Sequence, residues 1–132
     1  MKPAVIVFAS LLAALVFSGC SLTKVSGGEE IQITAGERSG GMYLEPSEIT
    51  VTAGADVTFV IKNEGSQDHE FESYRDGEAG IDEIIIPPGA TRRVSWTAPS
   101  EAATFPVYCD LPGHRAAGME IALKVVPDTE ER

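Results

Sequence analysis

Histidine and cysteine are scarce in this chain, and their scarcity excludes several kinds of site. The 132 residues contain two histidines and two cysteines. A structural zinc site needs more of these side chains close together in the sequence. If Cys20 is modified as argued below, Cys109 is the one thiol left and no intrachain disulfide can form. A lone thiol is then a metal ligand, a catalytic group or a buried inert side chain.

Basic side chains are also few. The chain has 10 Lys and Arg against 20 Asp and Glu, and a formal net charge of −10 at pH 7. A phosphate backbone requires a basic protein face, so nucleic acid is excluded as the expected partner. The acidity is compatible with a basic redox partner or a high-salt medium, and equally with simple solubility.

Helical periodicity is absent after the first 20 residues. Short alternating runs separated by Gly- and Pro-containing turns occur instead, which predicts an all-β sandwich. The runs 49–51 and 57–61, on either side of a turn at 53–55, predict a hairpin-like pair. The segments 36–41 and 75–80 have little periodicity and are predicted as loops.

The N-terminal segment has the features of a secretory signal. Lys2 is followed by an apolar run from Ala4 to Phe17 and then by small residues before Cys20. The run is shorter than the roughly 20 residues of a bilayer-spanning helix. The ending Ser-Gly-Cys resembles a bacterial or archaeal lipobox, which implies that Cys20 receives a lipid. The alternative is an ordinary signal or an uncleaved anchor with Cys20 unmodified.

These features divide the chain into four parts. We predict a lipoprotein-type signal peptide at 1–19, a flexible tether at 20–30, one folded domain at 31–127 and an acidic tail at 128–132. Ten flexible tether residues span roughly 15–20 Å. The predicted location is outside the cytoplasm, in the periplasm or on the cell surface, with the lipid holding the domain at the membrane.

A C-terminal stretch carries the chemistry. Tyr-Cys-Asp-Leu-Pro-Gly-His-Arg-Ala-Ala-Gly-Met places Cys109, His114 and Met119 in one short connection. A thiolate, an imidazole and a thioether favour copper over magnesium, calcium or manganese. One more imidazole completes a His2Cys site with a weak axial Met, and the other histidine is His69. The alternatives are an inert buried cysteine, surface histidines and a core methionine.

The alternation of apolar residues around this stretch predicts where two of the side chains point. Cys109 is in phase with Phe105 and Val107, and Met119 is in phase with the apolar residues of the strand after it. Side chains in phase on a strand share one face. Cys109 and Met119 are therefore predicted to face the core.

Residues 42–126 resemble the small blue copper proteins, the cupredoxins. The resemblance is carried by Glu-Ile-Thr-Val-x-x-Gly-x-x-Val-x-Phe, by Lys-Asn-Glu-Gly-x-x-x-His-x-Phe, by Pro-Pro-Gly and by the loop from Cys109 to Met119. The ligand spacing is similar to that in auracyanins, rusticyanin and sulfocyanin. The resemblance implies an eight-stranded Greek-key β-sandwich that binds one copper ion through His69, Cys109, His114 and Met119. It also implies electron transfer between Cu(I) and Cu(II).

Two backbone amides are candidates for tuning such a site. Glu70 follows His69, at a place where plastocyanin and azurin often have an Asn that ties the two ligand loops together. We hypothesise that the amides of Glu70 and Leu111 both donate to the sulfur of Cys109. Two such hydrogen bonds would stabilise Cu(I) and raise the reduction potential.

The surroundings of His114 suggest how a partner could dock. Leu111, Pro112, Ala116 and Ala117 are hypothesised to form an exposed apolar patch; the alternative is a loop tucked into the core. Acidic residues crowd the segment 64–83, which would steer a basic partner or merely be solvated. They are Glu64, Asp68, Glu70, Glu72, Asp76, Glu78, Asp82 and Glu83.

The leading functional prediction is a monomeric type 1 copper electron carrier, tethered to the outer face of a membrane and exchanging electrons with a redox protein. The alternative is a module for copper storage or delivery that uses the same ligands. No enzymatic activity is predicted, because metal catalysis needs an open coordination position and four protein ligands would close this site. A Cys–His hydrolase is disfavoured by the five-residue spacing of the two side chains on one tight loop.

Overall fold

The computed structural model describes residues 28–75 and 78–129. Cys20, the predicted signal peptide, most of the tether and the end of the tail lie outside these residues. The described part contains nine strands: β1 Glu29–Arg38, β2 Gly41–Glu45, β3 Glu48–Thr52, β4 Asp56–Asn63, β5 His69–Arg75, β6 Glu78–Ile86, β7 Thr91–Thr97, β8 Ala103–Tyr108 and β9 Glu120–Val126. Within the same residues, no helix is both long and apolar enough to cross a bilayer.

The strands form two sheets, which confirms the predicted all-β sandwich. One sheet has the order β2-β1-β4-β7 and the other the order β3-β9-β8-β5-β6. Two pairs are parallel, β1 with β4 and β3 with β9, and the other pairs are antiparallel. The described residues contain one strand more than the eight implied by the resemblance. The short β2, which pairs with the end of β1, is a strand in a region where the sequence predicts little structure.

The two segments predicted as loops are mostly strand. Residues 36–38 end β1 and Gly41 begins β2, with Arg38 opposite Gly41 across a turn that contains Gly40 at φ 94°. Likewise Arg75 ends β5 and pairs with Glu78 of β6. Backbone pairing needs no alternating side chains, and glycines leave no hydrophobic pattern to detect. Both predicted loops are therefore too long, because each includes residues that belong to strands.

The predicted hairpin between the runs 49–51 and 57–61 does not form. β3 pairs with β9, whereas β4 pairs with β1 and β7 in the other sheet. The corner between them crosses the sandwich, and the Ala53 and Gly54 amides donate to the Val126 and Pro99 carbonyls at 2.8 and 3.1 Å. In a sandwich the inner faces of both sheets have the same alternation. The hydrophobic pattern therefore cannot tell a hairpin from a crossing.

The folded domain begins two positions earlier than predicted. Glu29 and Glu30 lie opposite Val57 and Thr58 in the parallel pairing of β1 with β4. Their side chains are exposed, so the hydrophobic signal begins only at Ile31. The tether prediction is corrected at its C-terminal boundary for this reason.

The core lies between the sheets and ends at the predicted metal ligands. Phe59 of β4 packs against Phe71 and Trp96 with ring centroids 5.3 and 5.9 Å away. Phe105, Val107, Cys109 and Met119 are all buried in the same cluster. The prediction that Cys109 and Met119 face inward is thereby confirmed.

Candidate metal centre

Three predicted ligands meet at one end of the sandwich. His69 is the first residue of β5, Cys109 directly follows β8, and His114 lies in the turns between β8 and β9. One donor atom of each residue lies within 4.8 Å of the other two, and all three side chains are buried. The β5 and β8 strands are neighbours in one sheet. Their pairing brings His69 to the loop that carries the other two.

The donor atoms converge closely. The Nδ1 atoms of His69 and His114 are 3.3 Å apart, and the Cys109 Sγ lies 3.4 Å from the His114 Nδ1. Met119 is fully buried, and its backbone is hydrogen-bonded to the other two ligands of the loop. Its N–H donates to the His114 carbonyl, and its carbonyl accepts from the Cys109 N–H, each at 3.2 Å.

The loop between Cys109 and Met119 is held by its own backbone. The His114 N–H donates to the Leu111 carbonyl at 3.0 Å, and the Ala117 N–H donates to the Gly113 carbonyl at 3.0 Å. Gly113 has φ 85°, a left-handed conformation that glycine adopts without strain. The Met42 N–H of β2 donates to the Ala117 carbonyl at 2.9 Å and links the loop to the opposite sheet. The loop is therefore held by hydrogen bonds within itself and by one from the opposite sheet.

The sequence analysis missed Glu37, which contacts a ligand directly. Its Oε1 lies 2.8 Å from the His69 Nε2, on the side of the ring away from Nδ1. Glu37 is near the end of β1, in the segment predicted as a loop. The parallel register of β1 with β4 brings it beside the 64–68 connection, where the Glu64 N–H donates to the Ala35 carbonyl at 2.8 Å. No local sequence pattern carries this information.

The Glu37 carboxylate is surrounded by donors. The Ser66 N–H donates to Oε2 at 2.7 Å, the Ser66 hydroxyl donates to the same oxygen at 3.2 Å, and the Gln67 N–H donates to Oε1 at 3.3 Å. The Ser66 N–H is the largest cause of a lowered pKa at Glu37, because it stabilises the ionised form; burial opposes it. Glu37 is thus a carboxylate acceptor at neutral pH.

Burial shifts the pKa values of His69 and Cys109 in opposite directions. Burial lowers the pKa of His69, so its imidazole is neutral at neutral pH. Burial also raises the pKa of the Cys109 thiol, while the amides of Glu70 and Leu111 lower it in part. A metal must therefore displace the thiol proton when it binds, which makes metal affinity rise with pH.

Of the two hypothesised sulfur contacts, the one from Glu70 has the geometry of a hydrogen bond. The Glu70 N–H donates to the Cys109 Sγ at 3.3 Å. The Leu111 amide lowers the pKa of the thiol, by less than the Glu70 amide does. Burial, the largest influence, and the charge of Glu83 raise the pKa of the Glu70 carboxyl group, and the Asp110 backbone N–H opposes them.

The predicted docking residues lie around the most accessible ligand. His114 is 8% exposed, whereas His69, Cys109 and Met119 are 0% exposed. Pro112 and Ala116 are exposed, and Leu111 and Ala117 are half-buried. Of the acidic residues in 64–83, Glu72 is buried; the side chains of Asp76 and Glu78 lie outside the described residues, and the others are exposed or half-buried.

Comparison with known proteins agrees with this geometry. The family model of the cupredoxin-like domain matches residues 7–122. The chain belongs to the cupredoxin family. A curated relative that it resembles is the copper-resistant cuproprotein CopI of Pseudomonas aeruginosa. The two are 28% identical in an alignment of 133 positions, gaps included, which covers 67% of this chain and 73% of the relative.

Two solved cupredoxins have the same fold. A reduced auracyanin from Roseiflexus castenholzii superposes with a TM-score of 0.64 at 21% identity, covering 74% of this chain and 97% of that one. Auracyanin A, the blue copper protein of Chloroflexus aurantiacus, has a TM-score of 0.63 at 22% identity, with 74% and 98% covered. Part of a copper-containing nitrite reductase from Thermus scotoductus also matches, with a TM-score of 0.59 over 31% of its length. The fold by itself therefore does not separate carriers from oxidoreductases.

The residues at this site fit copper. The three clustered donors are two imidazole nitrogens and one cysteine sulfur, with no carboxylate oxygen among them. This His2Cys set, with a thioether as a weak axial ligand, is the type 1 copper arrangement. His69, Cys109 and His114, together with Met119, are arranged as a copper-binding site.

Proposed function

We propose that this cupredoxin is an electron carrier rather than an enzyme. Bound copper would supply a one-electron change between Cu(I) and Cu(II). The observation that supports the proposal is a site whose ligands are held by the fold itself: donors from β5 and from the β8–β9 turns lie within 4.8 Å of one another in a buried, hydrogen-bonded frame. A rigid frame limits the rearrangement that accompanies electron transfer.

The ligand count supports a carrier as well. Four protein side chains leave no open position for a substrate, and metal catalysis requires one. The described residues contain two histidines, both at this site, and so offer none for a second copper centre of the kind that oxidases use. These two properties support the proposal that the chain is a carrier and not an enzyme.

The surface around His114 supports a route for electrons. This imidazole is the ligand nearest to solvent, and Leu111, Pro112, Ala116 and Ala117 surround it. We propose that a redox protein docks on this patch. Ala117→Lys should slow electron exchange between copper proteins several-fold without changing the visible spectrum. Exchange at the wild-type rate would contradict the docking patch while leaving the copper site intact.

The nearby carboxylates favour a basic partner. Glu70 and Asp110 each follow a ligand in the sequence, and Glu83 is close enough to raise the Glu70 pKa. A cationic redox reagent should therefore react faster at low ionic strength than at high, and an anionic reagent should react more slowly. The same salt dependence for both reagents would argue against steering.

The direction of β1 supports tethering through the N-terminus. The strand begins at Glu29 and reaches Glu37, beside His69, eight residues later. At about 3.3 Å per residue the two ends of this run are about 26 Å apart. A lipid at Cys20 would thus hold the domain by the end opposite the copper site. We propose a location on the outer face of a membrane, in the periplasm or at the cell surface. Loss of membrane association in Cys20→Ala tests it.

The decisive experiment loads the protein with copper and measures its spectrum and voltammetry. A carrier should have intense visible absorption and a fast, reversible one-electron couple, and Cys109→Ser should lose the absorption. The similarity to a copper-resistance protein favours a second candidate, copper storage or delivery. A colourless site that passes copper readily to a chelator or acceptor protein would favour delivery and contradict the carrier.

A further inference from the structure

Glu37 differs from every other acidic side chain described near the site, because it contacts the His69 ring at the edge away from Nδ1, the atom that points into the site. The His69 ring is fully buried and presents Nδ1 to His114 at 3.3 Å and Nε2 to Glu37 at 2.8 Å. The Glu37 Oε1 also accepts from the Gln67 backbone N–H, as a carboxylate oxygen does, so in its contact with the ring the imidazole donates and the proton is on Nε2. The lone pair of His69 is consequently on Nδ1, which points into the site.

The loop is shaped around this carboxylate. Its two oxygens accept from the Ser66 and Gln67 backbone amides and from the Ser66 hydroxyl. A Cβ added at Gly65 would lie 2.5 Å from Oε1 and 2.6 Å from Oε2, so only glycine leaves room for the charge there. The same connection is braced by Asn63, whose side-chain oxygen accepts from the Gly65 N–H at 2.8 Å. The position of the Glu37 carboxylate is therefore fixed by several hydrogen bonds and by a close approach to Gly65, unlike that of a charge at the surface.

An ionised partner on a metal-bound imidazole has two consequences. It orients the ring and raises its basicity, and it places a negative charge one ring away from the metal. A negative charge stabilises the higher oxidation state of an ion more than the lower one. The Glu70 amide, which donates to Cys109 Sγ, acts in the opposite direction, because it withdraws charge from the sulfur.

We propose that Glu37 is a positioning residue of the copper site, which holds His69 with Nε2 protonated and Nδ1 free for the metal, and which shifts the preference of the site toward Cu(II). The inference deepens the proposed electron-transfer function and rests on it. In this arrangement a side chain of β1, remote from the ligand loop in sequence, lowers the reduction potential, whereas the Glu70 amide on the sulfur raises it.

The first test compares Glu37→Gln with Glu64→Gln. The amide introduced by Glu37→Gln would keep the size of the side chain and one acceptor oxygen but lose the charge. Glu64 is a matched control in the 64–68 connection beside Glu37, because its side chain is exposed and pairs with Lys62 at 2.9 Å instead of with a ligand. Cu(II) and Cu(I) affinities are measured separately by competition with chelators of known affinity.

For Glu37→Gln we expect the Cu(II) affinity to fall by about 10- to 100-fold, the usual effect of losing such an outer partner. The Cu(I) affinity should fall about tenfold less, which corresponds to a reduction potential about 59 mV higher. Glu64→Gln should change the ratio of the two affinities by less than about twofold, as expected of a screened surface charge. Equal losses for both oxidation states in Glu37→Gln, or an equal change of the ratio in both variants, would overturn the proposal.

The second test needs neither copper nor a variant. Nitrogen-15 NMR of the copper-free wild-type chain at neutral pH should place the His69 proton on Nε2. A proton on Nδ1 would overturn the proposal even if Glu37→Gln failed to fold. Failure of the electron-carrier proposal has a separate signature, since it would appear as slow or irreversible electron exchange in the wild-type protein while the His69 tautomer stayed on Nε2.

Discussion

Replacing Gly65 with alanine should release Glu37 from the site without touching any ligand. The added Cβ would meet the Glu37 Oε1, Oε2 and Cδ at 2.5, 2.6 and 2.7 Å. These atoms are the far end of a flexible side chain, so the carboxylate will move before the backbone does. Gly65→Ala should therefore behave as a truncation of Glu37.

The cost can be worked out from the bonds that the carboxylate makes. The Ser66 and Gln67 donors are exposed and will be taken up by water, so their loss should cost about 1 kcal/mol in total. The His69 Nε2–H is on a fully buried ring, and leaving such a donor without an acceptor costs about 1–3 kcal/mol. The sum is a loss of about 2–4 kcal/mol in the free energy of unfolding. In a domain of this size it lowers Tm by about 10–20 °C.

Thermal unfolding of the copper-free protein, followed by circular dichroism, measures this effect. Gly80→Ala is the matched control, because the nearest atom to its added Cβ is the Ser73 carbonyl oxygen at an ordinary 3.4 Å. That variant should unfold within a few degrees of the wild type. Adding Gly65→Ala to Glu37→Ala should cost less than about 0.5 kcal/mol, since the clash has been removed. Additive losses in the double variant would refute the reasoning.

Three further perturbations test the surroundings of the site. Burial, followed by the charges of neighbouring carboxylates, raises the pKa of Glu72, so the folded state disfavours its ionised form. Glu72→Gln should therefore raise Tm at neutral pH, and this gain should vanish below the ordinary carboxyl pKa. A gain independent of pH would contradict this. Met119→Leu should keep the visible absorption and shift the reduction potential; an unchanged voltammogram would remove Met119 from the ligand set. Phe59→Ala should cost about 3–5 kcal/mol in chemical denaturation and leave the copper spectrum unchanged, whereas a bleached spectrum would show that the aromatic core supports the ligand geometry.

The ligand loop could be predicted from the sequence because its chemistry is local. Cys109, His114 and Met119 lie within one connection, and the alternation of Phe105 and Val107 carries the thiol to the inner face. Their donor types select copper without any knowledge of the fold. His69 could be added because the chain offers no other histidine.

The path of the chain between the sheets could not be predicted in the same way. Alternating residues identify an inner face, but both sheets of a sandwich have one. The runs 49–51 and 57–61 therefore looked like a hairpin, although β3 and β4 belong to different sheets. In the segments 36–41 and 75–80, the described strand residues lacked a pattern because backbone pairing, and not side-chain packing, makes them strands.

The amino-acid sequence by itself determined the kind of metal, three of its ligands in one loop and the inward direction of Cys109 and Met119, since these depend on residue type and on a period of two. Only the tertiary structure decided that Glu37 meets His69. That contact depends on the parallel register of β1 with β4 and on a glycine that leaves room for a carboxylate. A register between strands joined by a long connection has no local signature, and this is why the charge beside the ligand could be found only in the folded chain.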